Sequence, residues 1–444
     1  MKHLTLIYAL CAQFFIIGSA AESTQDCPQT PLLQNNGICL APLDLIQKET
    51  HLFTDRKWQW KSDRPAAWDG PYDCIDKYCV FVNHQLDGMV LISAEQNVHV
   101  IDRFQTAPRN NTPPPTQQEP PPFYVADIPG KGIGLIANRT IRTNDILMRL
   151  TPTMLIQLGP HLDIDAATRA ALYERAVERI PEPRRSMFRR QHGRTTYEKI
   201  DRNSFRMFIN GEENFSGHLG VYPEASRMNH DCRPNIHYRI ENITHISVAV
   251  RDIHPGEELT VSYIDGLQPR AERQSRLSDW GFACTCAHCR MSDAEAAASD
   301  TRMERIQNIE GALEKMMASG SGIDPRLGDE LVRLLHEERL ESYLGQAYTR
   351  AALLHSLVGN GDEAVRYARL AREALIREFG ERSKDAKAMN LLAEEPEKHW
   401  SWGALKVAEK GMEKKADEED ENWVEGVGTQ VKVELTGNES KGGN

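Results

Sequence analysis

Three thiols lie within six residues, at Cys284, Cys286 and Cys289. Thiols so close in the chain cannot all pair with one another, whereas a tetrahedral zinc ion takes thiolates from such tight knuckles and needs four ligands. His288 sits inside the same run, but its neighbours already use the local geometry. Cys232 is the other cysteine outside an N-terminal set, so the arithmetic closes on Cys232, Cys284, Cys286 and Cys289. A disulfide with spare thiols is the competing arrangement, and the CxCxxC spacing favours zinc.

Three further blocks carry polar chemistry. Arg227 to Asn235 crowds Asn229, His230, Cys232 and Asn235 around Pro234, an unusual density for a solvated loop. Asp252 to Tyr263 enters a strand through Pro255-Gly256 and ends on a tyrosine whose hydroxyl can donate or accept a hydrogen bond. Gly130-Lys131-Gly132-Ile133-Gly134 allows positive φ and close approach of a ligand, although a GxG alone is more often a hairpin turn. It is not a dinucleotide fingerprint, because the third spaced glycine and the long following helix are missing.

Short strands must position these blocks. Leu135–Ala137, Asp145–Met148, Ile236–Ile240, Ile246–Val250 and Leu259–Tyr263 read as strands, and Asp165 reads as the cap of a helix over Ala166–Ile180. Residues 290–390 are helical by composition, and Tyr348–Phe379 has the pattern of a tetratricopeptide-like hairpin (Ala351, Leu354, Gly359, Ala364, Tyr367, Ala371). Upstream, Tyr78–Val82 and Met89–Ile92 read as strands of a small N-terminal module with Trp58, Trp60 and Trp68. The prolines at 113–115 and 120–122 predict an extended linker and a domain boundary.

Residues 1–21 have the basic start, apolar stretch and small-residue end of a secretory signal, which Cys11 would leave with. In that compartment Cys27, Cys39, Cys74 and Cys79 form an even set for two disulfides, with three possible pairings and a small Cys74–Cys79 loop among them. Sequons at Asn110, Asn138, Asn214, Asn242 and Asn438 permit glycosylation there. The 444 residues carry a net charge of −11, which argues against a broad nucleic-acid surface and suits a basic partner. No later segment is apolar for long enough to span a membrane.

Taken in order, the glycine turn, NHDCRPN, GEELTVSY and GFACTCAHC resemble the SET-domain protein-lysine methyltransferases with a post-SET zinc segment. The likeness runs from about Phe123 to Arg290, and the helical C-terminal part resembles the fungal proteins related to the SET-and-MYND group. A MYND finger has no counterpart, since no cysteine lies between the glycine turn and Asn229; Asp231 stands where serine is more usual. The signal peptide departs from a family that works mainly in nucleus and cytosol.

The resemblance implies an α+β chain: a SET domain of small, mostly antiparallel, pseudo-knotted sheets, the post-SET zinc segment, a helical domain and the N-terminal disulfide module. The units are 1–21 signal, 22–104 N-terminal module, 105–122 linker, 123–265 SET domain, 266–290 post-SET, 291–400 helical domain and 401–444 disordered tail. It implies S-adenosylmethionine held by Lys131, Gly132, Ile133, Gly134, Asn203, Asn229, His230, Tyr263 and Phe282, with His230 acting through backbone and side chain. Zinc on the four cysteines would hold the lid of a lysine channel, and Tyr263 would orient methyl group and amine. The partner is a lysine-bearing protein or peptide, with no direct nucleic-acid binding and a monomeric state expected. A SET fold without catalysis, acting as a scaffold or secreted binding protein, is the alternative.

Overall fold

The computed structural model describes residues 67–106, 120–209, 217–319 and 321–405. The signal segment, Cys27, Cys39, Trp58, Trp60, Pro113–Pro115 and the chain beyond 405 lie outside the described residues. Of the two expected disulfides, Cys74–Cys79 is formed, closing the turn between the first two strands.

Strands β1 (Trp68–Ile75), β2 (Tyr78–Asn83) and β3 (Met89–Ala94) make a meander that runs into helix α1 (Glu95–Thr106). Then follow β4 (Phe123–Ile128), β5 (Gly132–Ala137), β6 (Ile146–Leu150) and β7 (Met154–Gln157). Helices α2 (Gly159–Asp163), α3 (Ala166–Glu178), α4 (Arg184–Arg189) and α5 (Thr196–Asn203) precede β8 (Ser204–Phe208) and β9 (Gly217–Val221). The remaining strands are β10 (Asn229–His230), β11 (Ile236–Glu241), β12 (Thr244–Ala249) and β13 (Glu258–Val261). They form three sheets, ordered β1-β2-β3-β7-β9-β8, β10-β13-β5-β4 and β11-β12-β6.

The first sheet contains strands from both sides of the expected linker at 105–122. β3 pairs in parallel with β7, Val90 opposite Met154 and Ile92 opposite Ile156, so the described strands of segment 22–104 belong to the same sheet as those of 123–265. The reason is in β2 and β3, every residue of which is buried. Side chains alternate across a strand. Cys79, Phe81, Met89 and Leu91 enter the core shared with β5 and β13. Tyr78, Val80, Val90 and Ile92 enter a second core, under Leu172, Tyr173 and Val177 of α3. A small separate module has no second layer to cover both faces. Trp68 is correspondingly a core residue, 0% exposed, with its Nε1–H on Asp102 at 3.1 Å.

Asp165 caps α3 as expected, accepting from the amides of Ala167 and Thr168 at 3.0 Å each. Beyond the sheets come α6 (Arg270–Ser278) and a helical layer, α7 (Asp293–Ser319), α8 (Pro325–Glu337), α9 (Leu344–Leu357), α10 (Gly361–Phe379) and α11 (Lys384–Glu394). The α9–α10 hairpin buries Ala351, Leu354, Ala364, Tyr367 and Ala371 on the expected stripe. This layer is pinned to the sheets by buried polar groups. Arg233 donates to both the backbone carbonyl and the carboxylate of Glu338, the latter at 3.0 Å. Glu338 also accepts from Ser299 at 2.8 Å and Arg302 at 2.6 Å. At the other end Arg239 donates to the carbonyl of Arg377 at 2.8 Å, and Arg377 reaches Asn144 at 3.0 Å.

The side chains of Arg233 and Glu338 are 6% and 1% exposed, and removing one member of such a pair strands the other charge. Glu338→Ala should therefore cost about 3–5 kcal/mol in denaturant unfolding; a loss within ~0.5 kcal/mol would show the pair to be solvated.

Glu378 supplies a pH test. Burial pushes its carboxyl from 4.5 up to about 8, against the opposing pull of Arg377 and the Gly345 amide. The folded chain keeps a proton that the unfolded chain has released, so stability from this group is complete at low pH and falls as pH rises from 4.5 to about 8. Glu378→Gln should flatten the fall in Tm across that window. Parallel Tm curves for the two proteins would exclude the buried acid as its source.

Candidate active site and thiolate cluster

The Sγ atoms of Cys232, Cys284, Cys286 and Cys289 all lie within 4.8 Å of one another and all four residues are buried. A zinc ion with bonds of about 2.3 Å spaces its sulfurs by about 3.8 Å, so the cluster fits that ion with little rearrangement. Backbone amides support the sulfurs: Cys286 N–H points at Cys284 Sγ (3.5 Å) and Cys289 N–H at Cys286 Sγ (3.4 Å). His288 is not among the ligands. Its Nε2 faces Arg233 Nη2 at 2.9 Å, and burial, with Arg233 and Arg273 beside it, lowers its pKa to about 4.

The three polar blocks meet beside this cluster. β10 lies parallel to β13, with Asn229 opposite Thr260 and His230 opposite Val261. β13 in turn pairs with β5 of the glycine hairpin, Leu259 opposite Leu135. Asn235 ties this pairing, donating to the Glu258 carbonyl at 2.8 Å and accepting from the Thr260 amide at 2.9 Å.

Glu258, which sequence reasoning did not single out, joins all three blocks. Its carboxylate accepts from Lys131 Nζ at 2.7 Å and from Asn229 Nδ2 at 2.9 Å. Asn229 also donates to the Ile133 carbonyl at 3.2 Å. The glycines make room for this. Gly132 adopts φ 76°, and a Cβ on Gly134 would stand 2.5 Å from Ile128 Cγ1, 2.9 Å from Asn229 Nδ2 and 3.1 Å from Glu258 Oε1. The signal available in the sequence was the second Glu of the block following Pro255-Gly256.

Tyr263 is fixed at both ends. Its hydroxyl donates to the Met228 carbonyl at 2.8 Å, and its amide donates to His230 Nδ1 at 3.0 Å. Its ring centroid lies 4.8 Å from that of Trp280, 5.4 Å from His230 and 6.4 Å from Phe282. Burial, then the charge of Glu258, raises the phenol well above its usual range, so the hydroxyl stays protonated. Trp280 was given no role from the sequence, although it stands two residues before Phe282.

His230 and Asn203 both bond to protein groups. The His230 ring is 3% exposed and both its nitrogens face protein groups, Nδ1 the Tyr263 amide and Nε2 the Cys232 sulfur at 3.3 Å. Asn203 ends α5, where Nδ2 donates to the carbonyls of His192 (2.8 Å) and Lys199 (2.7 Å). Those bonds hold the helix end, and no hydrogen bond among the described residues joins Asn203 to Asn229, His230 or Tyr263.

Gly134→Ala should separate Asn229 from Glu258 and lower Tm by several degrees, since backbone and side chains on three elements must shift. Thermal denaturation tests this, and an unchanged Tm would mean that the hairpin yields freely.

Residues 132–264 match the family model described as the SET domain. Among curated proteins, N-lysine methyltransferase SMYD2 of Sus scrofa is 38% identical over 94 residues, which is 20% of this chain and 22% of that protein. Histone-lysine N-methyltransferase set5 of Schizosaccharomyces pombe is 29% identical over 187 residues, 40% of this chain and 58% of that one. Histone-lysine N-methyltransferase SMYD3 of Homo sapiens is 40% identical over 102 residues, 22% of this chain and 23% of that one. The chain therefore spans less than two thirds of each of these relatives.

Proposed function

We propose that the chain is an S-adenosylmethionine-dependent protein-lysine N-methyltransferase of SET type, related to the SET-and-MYND group but without its finger. The observation that carries this reading is Tyr263. A protonated hydroxyl is held on the Met228 carbonyl within a wall of aromatic rings, in the segment that matches the SET domain.

The residues present fit the cofactor. The edge of the hairpin is open, with no atom within 4 Å of a Cβ placed on Gly130 or Gly132. Lys131 to Gly134, Asn229, the backbone of His230 and Phe282 would hold it, and Asn203 retains Oδ1 for a ligand. When bound, S-adenosylmethionine supplies an electrophilic methyl group.

The chain's own residues serve the lysine. An apolar wall of Tyr263, Trp280 and Phe282 disfavours an ammonium ion and so favours the neutral amine that can attack. The Tyr263 hydroxyl donates to Met228, which leaves its oxygen lone pairs free to orient what enters beside it. Because the phenol stays protonated, it positions rather than removes protons. Alignment of two reactants in a dry site is worth several kcal/mol.

Zinc on Cys232, Cys284, Cys286 and Cys289 would hold Trp280 and Phe282 against Tyr263. The substrate is a lysine-bearing, basic protein or peptide, met by a monomer of acidic net charge. The first 21 residues support a secretory-pathway location, and no described helix is long and apolar enough to cross a membrane.

Tyr263→Phe should cut methyl transfer to a lysine peptide by about a hundredfold or more while leaving the calorimetric affinity for S-adenosylmethionine within about twofold. Full turnover in the variant would remove Tyr263 from the mechanism, and no cofactor binding by the zinc-loaded wild type would sink the enzyme reading.

A further inference from the structure

We infer that the ring of His230 is a positioning residue that couples the metal cluster to Tyr263, so that metal occupancy fixes the place of the tyrosine hydroxyl. The inference rests on the proposed zinc site and extends it.

The backbone ladder between β10 and β13 ends before Tyr263. Asn229 and His230 pair with Thr260 and Val261, and the Asp231 amide still reaches the Val261 carbonyl at 3.1 Å. The Tyr263 amide lies past the end of β13 and finds an imidazole nitrogen instead of a carbonyl. A backbone N–H can only donate, so Nδ1 of His230 accepts and carries no proton. In the neutral ring the proton then sits on Nε2, 3.3 Å from Cys232 Sγ. The tautomer is thus set by the tyrosine, and the remaining N–H is aimed at a metal-ligand sulfur. Such outer hydrogen bonds orient ligands and tune the metal, and losing one commonly costs 10- to 100-fold in affinity or activity.

The path is short. Tyr263 is bound to Met228 through its hydroxyl and to His230 through its amide, two points on one strand segment that leads directly to Cys232. With the cluster filled, Cys232 cannot drift, the ring keeps its bond to the Tyr263 amide, and the hydroxyl keeps its carbonyl. A ring without the sulfur bond could turn and release the amide.

The test uses the full chain loaded with cadmium-113 in place of zinc. In the wild type the His230 Nε2–H should appear as a slowly exchanging proton with a through-bond correlation to the metal. Nitrogen-15 spectra should assign the Nε2–H tautomer. His230→Phe should lose the correlation and move the cadmium resonance, whereas Tyr263→Phe should keep the correlation. In the zinc protein, His230→Phe should release metal to a chelator about tenfold faster and lower kcat at least tenfold, with the KM for S-adenosylmethionine within about twofold.

A metal-loaded wild type with the proton on Nδ1, or without the correlation, overturns the bridge, and this holds even if the variant fails to fold. A chain that takes up no metal overturns the zinc reading on which the bridge rests. Metal bound and the correlation present, but no methyl transfer in any arm, would leave the bridge standing and remove the enzyme reading.

Discussion

The convergence of four sulfurs is the constraint on which the site depends. Cys232 follows β10 within two residues, while Cys284, Cys286 and Cys289 belong to a segment with little regular structure after α6. Such a segment has few backbone partners of its own. Bringing its thiols to Cys232 places Trp280 and Phe282 beside Tyr263, where two aromatic rings form a wall that no strand provides. A metal at this point would close a long loop and join the paired strands to the segment of Trp280 and Phe282, two tasks that packing of a few side chains would perform weakly.

Around that point, buried polar groups specify geometry where apolar packing would allow slippage. Asn235 fixes the register of the β10 segment on β13 from both sides of one amide. Glu258 holds Lys131 and Asn229 from separate elements. Arg233, adjacent to a cluster cysteine, extends the same order into the helical layer through Glu338. Each of these groups is expensive to bury alone and becomes tolerable only when its partners are in place, so the fold is specified by their mutual satisfaction.

The two cysteine chemistries coexist because they sit in different surroundings. Cys74 and Cys79 are joined across a turn at the end of the β1–β2 hairpin. Cys232, Cys284, Cys286 and Cys289 are free thiols at 0–9% exposure, packed under Leu277 and against Trp280 and Phe282. Burial withdraws thiols from exchange, and metal ligation would do so further, so one chain can carry an oxidised pair and a reduced cluster.

The sequence by itself determined whatever depends on local spacing. The CxCxxC run, the Asp165 cap, the short strands on either side of NHDCRPN and the alanine stripe of the α9–α10 hairpin are all set by neighbours a few residues apart. It did not determine which face of a continuous apolar run meets which layer. That is why β2 and β3 read as a separate module and proved to be interior strands of the large sheet. Nor could it assign the partners of a side chain within a block: Glu258 bonds Lys131 and Asn229, Trp280 packs on Tyr263, and the His230 ring lies between the Tyr263 amide and Cys232. Those roles depend on partners tens of residues away. Only the parallel pairing of β10 with β13 brings a ring nitrogen to the Tyr263 amide and a sulfur to the other side of the same ring.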